Sequence, residues 1–138
     1  NPFEKAKSHK ELNGLEKLKF VLKTLFDETE HHQLSMASMQ LMESPAFLKK
    51  LIESNQELAP MYQELIEEGI QDGSIKSEQP KLLADLFVLL TNFWSIPTIY
   101  PMTDDEAWQK FLMIKSIMDN LGLPVIDDEI IKLCKENA

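Results

Sequence analysis

An all-α fold is expected from three features of the sequence. Valine occurs only three times, at Val21, Val88 and Val125, whereas leucine, lysine, glutamate and methionine, all better helix formers, are abundant. No glycine-rich turn joins runs of alternating, strand-like character. Apolar residues instead recur at three- and four-residue spacing between capping signals. The 138 residues make one domain by length. A chain of this size can bury roughly 68–70% of its unfolded surface.

About six to seven helices follow in order. Asn13 with Glu16 three residues on forms a capping box, and Leu15, Leu18, Leu22, Leu25 and Phe26 then mark one face of a helix over 14–31. A second is expected over 33–42. Ser44-Pro45 restarts the chain as a cap with proline in the first turn, carrying Phe47, Leu48, Leu51 and Ile52 inward. Ala59-Pro60 opens the next helix in the same way, with Leu65, Ile66 and Ile70 on its apolar stripe and its end at Asp72. Gly73 supplies the left-handed stop, over which Ile75 can fold back. Gly69 sits inside the helical pattern, where glycine costs about 1 kcal/mol relative to alanine. Its bare backbone either permits close approach of a neighbour or is simply tolerated near a helix end.

Pro80 opens a longer element over 79–100, in which Leu82, Leu83, Leu86, Phe87, Val88, Leu89, Leu90, Phe93, Trp94 and Ile96 cover most of the circumference. Such a helix is expected to be buried nearly all round. Pro97 and Pro101 bend and end it. Thr103 with Glu106 is a second capping box, opening a helix that carries Trp108, Phe111, Leu112, Ile114, Ile117, Met118 and Leu121 and stops at Gly122. A short tail helix is expected over 127–136.

The stretches Asn13-Gly14-Leu15-Glu16-Lys17-Leu18, LIEEGIQDGSI from Leu65 to Ile75, and Pro80 to Trp94, in that order, resemble the C-terminal regulatory domain of the TetR family of bacterial transcriptional regulators. The resemblance covers almost the whole chain. It implies a homodimer in which the last two long helices, here 79–100 and 104–121, pair with their symmetry mates in a four-helix bundle. It also implies that the preceding helices enclose a pocket for a small, often lipophilic effector. The family's DNA-reading part is an N-terminal helix-turn-helix domain, which nothing in this sequence matches. The partners implied are therefore a second copy and a small apolar effector, with DNA reached only through the absent domain. The rival expectation is a helical module whose exposed apolar helices bind another protein and no small molecule.

Candidate pocket residues are Met36, Met39 and Met42, at three-residue spacing, with Met61 and Tyr62. Methionine suits a cavity that accepts varied apolar ligands. Phe87, Thr91 and Trp94 form an i, i+4, i+7 stripe with one hydroxyl among aromatics, a plausible pocket wall. The adjacent stripe, Leu82, Leu86, Leu89, Phe93 and Ile96, is a candidate dimer seam, joined by Trp108, Phe111, Leu112 and Met118 of the following helix. The pattern leaves open which stripe faces which side.

Charge and composition exclude other classes. The net charge is −9 and the fourteen basic residues are all lysine, so the chain lacks the guanidinium fork suited to phosphate and guanine, and its field repels nucleic acid. Cys134 is the single cysteine, which excludes an internal disulfide and fits a reducing cytoplasm. The longest apolar run, 86–90, is five residues, so no membrane span is expected. The chain opens Asn1-Pro2-Phe3 without methionine, the pattern of a processed protein or a fragment. Glu28 and His31, followed by His32, have the i, i+3 spacing of di-iron helices, but the second such motif that a centre needs is absent. No nucleophile lies near a histidine, and no phosphate-binding glycine pattern occurs. Neither metal, cofactor nor catalysis is expected.

Overall fold

The computed structural model describes the backbone of residues 1–31 and 44–136 and the side chains of 1–27 and 44–136. Among these residues there are six α-helices and no strand: α1 (Pro2–Ser8), α2 (Gly14–His31), α3 (Pro45–Asp72), α4 (Pro80–Leu89), α5 (Asp104–Asn120) and α6 (Asp128–Glu136). A π-helical turn, Leu90–Trp94, continues α4. The helix expected over 33–42 lies outside the described residues.

Local capping explains most of the boundaries. At α2 the Asn13 carboxamide accepts from the Glu16 N–H at 2.8 Å while the Asn13 N–H donates to Glu16 Oε1 at 3.0 Å. Ser44 Oγ accepts from the Phe47 N–H at 3.1 Å to start α3, and Thr103 and Glu106 form the reciprocal capping box of α5. The α1 helix was not foreseen. Its Asn1 cap accepts from the Phe3 N–H at 2.9 Å, Pro2 sits where no N–H is required, and Phe3 and Ala6 bury the inner face.

Two expected boundaries are corrected. Pro60 does not open a helix: it lies inside α3, which runs unbroken for 28 residues. The lost N–H and the ring crowding disfavour this locally, but Ala59, Tyr62, Leu65 and Ile66 share one buried face that only a continuous helix presents to the core. The long apolar helix does not reach residue 100 and is not buried nearly all round. Regular α-helix ends at Leu89, and Leu82 and Leu89 remain 59% and 51% exposed. The apolar ring that the sequence shows is thus one buried stripe, Leu83, Ala84, Phe87 and Val88, flanked by side chains left on the surface.

The core is continuous from α1 to α6. Tyr62, 2% exposed, meets Phe3 edge-on at 5.0 Å and Phe87 at 5.2 Å, joining α1, α3 and α4 through one ring. Leu18 and Val21 of α2, Ile114 and Met118 of α5 and Ile130 of α6 pack into the same cluster. Leu123, Val125 and Ile126 close it from the α5–α6 connection.

The α3–α4 turn gives both nearby glycines a physical role. Gly73 adopts φ 88°, and beyond it the Ile75 N–H donates to the Gly69 carbonyl at 3.0 Å, laying the buried Ile75 side chain on Gly69. A Cβ on Gly69 would stand 2.7 Å from Ile75 Cγ1. On the other side, a Cβ on Gly14 would stand 2.9 Å from the Glu68 carbonyl carbon and closer still to the Gly69 backbone. Close backbone approach, the first of the two readings of Gly69, is therefore the one the packing supports. No helix among the described residues is long and apolar enough to cross a membrane.

Candidate functional site

A cleft of about 640 Å³ opens between α3 and α4, within the range typical of small-molecule sites. The two helices run in opposite directions from the turn at Gly73, so Gln63 of α3 lies at the end of the cleft with Lys81 and Asp85, and Ile52 and Asn55 at the end with Phe93. Ala59, Pro60, Val88 and Leu89 line the middle. The Lys81 ammonium and the Asp85 carboxylate are 3.4 Å apart, one turn apart on α4. Asn55 Nδ2 donates to the Asn92 carbonyl at 3.4 Å and ties the far end together.

The π-helical turn forms the cleft's apolar end. Side chains add donors to carbonyls in and beside the widened turn. Thr91 Oγ1 donates to the Phe87 carbonyl at 2.8 Å and Ser95 Oγ to the Leu90 carbonyl at 2.7 Å. Lys110 of α5 donates to the Trp94 carbonyl at 2.9 Å, with its ammonium 4.5 Å from the Trp94 ring centre and 5.2 Å from that of Tyr100. The cation also opposes the negative end of the helix. Phe93, held edge-on by Tyr100 at 6.3 Å, lines the cleft beside Leu89, one turn earlier.

The residues assigned to a pocket from the sequence are not the ones that line this cleft. Tyr62 and Phe87 are closed core residues, because the buried face of α3 meets the buried stripe of α4 at their rings. Met61 is half-buried and packs against the core. The Thr91 hydroxyl is spent on its own helix, and Trp94 sits under Lys110. Met36, Met39 and Met42 lie outside the described residues.

The seam assignments divide. Leu82 and Leu89 are exposed, while Leu86, Phe93, Ile96, Trp108, Phe111 and Leu112 are half-buried, with Trp108 stacked on Phe111 at 5.6 Å. Met118 is corrected: at 0% exposure within one chain it has no surface to offer a partner. Leu89 and Phe93, assigned to the seam, are walls of the cleft. The α3 wall was missed because reading Pro60 as a helix start split Ile52, Asn55, Gln56 and Gln63 between two elements.

A second constellation ties α2 to the α3–α4 turn. The Gly14 N–H donates to Asp72 Oδ2 at 2.7 Å, the Ser74 N–H to Asp72 Oδ1 at 2.9 Å, and the Leu15 N–H to Ser74 Oγ at 3.2 Å. The first turn of α2 is thus capped by the end of another helix as well as by its own Asn13. Beside it Lys17, 6% exposed, pairs with Glu68 at 2.5 Å. Hydrogen bonds from the Ser74 side chain and then from the Gly14 N–H hold the Asp72 carboxyl below its ordinary value of 3.8. A carboxyl whose pKa is depressed by folding contributes stability above the unfolded value and loses it as pH falls through the folded one. Below about pH 4, acid unfolding is therefore expected to be less steep in Asp72→Asn than in the parent, and the variant to be slightly less stable at pH 7. Urea denaturation at pH 7 and below pH 4 checks this, and equal stability at pH 7 would show that the carboxylate's charge contributes nothing to the cap.

Among the described residues no three His, Cys, Asp or Glu side chains converge as metal ligands. The Glu28, His31 and His32 side chains lie outside those described. Cys134 is half-buried, and burial pushes its thiol up to about 11, away from the thiolate form. Comparison with protein-family models, with curated proteins and with solved structures finds no match for this chain.

Proposed function

We propose that the chain is the effector-sensing and dimerising part of a TetR-like transcriptional regulator, whose small lipophilic ligand occupies the α3–α4 cleft. The observation that carries this reading is the cleft itself, an open cavity lined by Ala59, Pro60, Val88 and Leu89 along its middle and by both apolar and polar side chains toward its ends. It stands on the helix whose C-terminal end caps α2 through Asp72. Ligand that favours one position of α3 thereby favours one position of α2. In the proposed regulator α2 leads toward two DNA-reading heads, which must match half-sites roughly 34–36 Å apart. A small displacement suffices, since such coupling is typically about 1–3 kcal/mol.

Dimerisation rests on the apolar surface of α4 and α5. Leu82 on α4, Met113 on α5 and Leu121 just beyond it are large, exposed and apolar, and a second copy is proposed to cover them. The same surface suits the rival helical module, which has no ligand and is a monomer alone. Leu82→Glu separates the two. Because Leu82 is exposed and absent from the cleft wall, the change is expected to shift monomer stability by no more than about 0.5 kcal/mol. Sedimentation velocity is expected to show a dimer for the parent and a monomer for the variant. A parent that sediments as a monomer at micromolar concentration would contradict the dimer.

A further inference from the structure

The docking of α2 puts a chemically labile pair of residues at its start. Position 14 has no room for a side chain against the backbone of Glu68 and Gly69, and the residue before it caps the helix, a task that Asn13 performs. The result is Asn13-Gly14, and no other asparagine of the chain precedes a glycine. Where no side chain hinders it, the backbone nitrogen after an asparagine can attack that residue's carboxamide. The Gly14 nitrogen bonds to Asn13 Cγ, and ammonia leaves with the proton lost from that nitrogen. The five-membered imide then takes up one water and opens to aspartate or, on its other side, to isoaspartate.

The folded chain engages each group that this reaction needs. The Gly14 N–H donates to Asp72 Oδ2 at 2.7 Å, and the Asp72 charge lies beside the nitrogen on which an anion would form, which disfavours its deprotonation. The Asn13 side-chain oxygen accepts from the Glu16 N–H at 2.8 Å, so ring closure must first break the cap. The Lys17 N–H donates to the Asn13 carbonyl at 2.9 Å and fixes the peptide plane between the two residues.

We propose that Asn13 is a site of spontaneous covalent modification, deamidation through a cyclic imide, which is closed while α2 is docked on the α3–α4 turn and opens when the first turn of α2 lifts away. Water is the only co-reactant. Isoaspartate lengthens the backbone by one atom where Gly14 already lies against Gly69, so each conversion is a permanent record of a lifting event.

The test is incubation of the 138-residue chain at mildly alkaline pH, once folded and once in guanidinium chloride, followed by cleavage after lysine and mass spectrometry. Cleavage after Lys10 and Lys17 releases residues 11–17, whose only side-chain amide is that of Asn13, so conversion is read as the mass change from amide to acid. The folded parent is expected to convert at least about tenfold more slowly than the unfolded chain, since only the fraction with α2 lifted reacts. Asp72→Ala, which removes the acceptor on the Gly14 N–H, is expected to convert several-fold faster than the parent where circular dichroism shows it folded. Equal rates in the folded and unfolded parent would overturn the proposal, and that comparison stands whether or not the variant folds. A rate unchanged in folded Asp72→Ala would overturn the docking contact as the gate.

Discussion

Gly14→Ala is expected to destabilise the protein by about 3 kcal/mol, seen as a fall of roughly 10 °C in the thermal midpoint. The added methyl group would be driven into the backbone of Glu68 and Gly69, which cannot step aside as the end of a flexible side chain could. The same shift would stretch the hydrogen bonds from Gly14 to Asp72 and from Leu15 to Ser74. Gly73→Ala is the internal comparison: nothing lies within 4 Å of its Cβ position, so only the left-handed strain remains, about 1 kcal/mol. Thermal denaturation followed by circular dichroism checks both. A Gly14→Ala protein as stable as the parent would mean that α2 and α3 are not in backbone contact, and the proposed route from cleft to α2 would lose its physical basis.

Tyr62→Ala is expected to cost about 4 kcal/mol. Truncation removes a fully packed ring together with its edge contacts to Phe3 and Phe87. Burial holds the Tyr62 hydroxyl protonated well above its ordinary pKa, which agrees with a residue shut inside the core. A residue lining an open pocket would behave otherwise, losing little stability on truncation and changing ligand affinity. Equilibrium urea denaturation measures the difference, and a loss below about 1 kcal/mol would return Tyr62 to a cavity wall.

What was legible in the sequence was what short-range chemistry decides. The Asn13–Glu16 and Thr103–Glu106 capping boxes, the Ser44-Pro45 start and the glycine stops at 73 and 122 each depend on a few adjacent residues. Each appears where its residues place it. The misreadings arose where distant packing outweighed a local signal. Pro60 is a helix breaker by propensity, yet the shared inner face of Ala59 and Tyr62 carries the helix through it. The stripe of Leu82, Leu86, Leu89 and Phe93 is apolar by composition, but its division between open surface and cleft is set by where α3 lies. The cleft itself was out of reach, because it belongs to two helices and to neither alone. The resemblance to TetR-like domains rests partly on the LIEEGIQDGSI stretch, and the packing gives that stretch a concrete task. Gly69 admits α2, Asp72 and Ser74 cap it, Gly73 reverses the chain and Ile75 seals the turn.

The central claim, a dimer that carries an apolar effector, is tested most directly by native mass spectrometry of the purified chain with stepwise gas-phase activation. The expected result is a dimer that releases a small amphiphile as activation rises. A monomer that carries nothing at any step would contradict it.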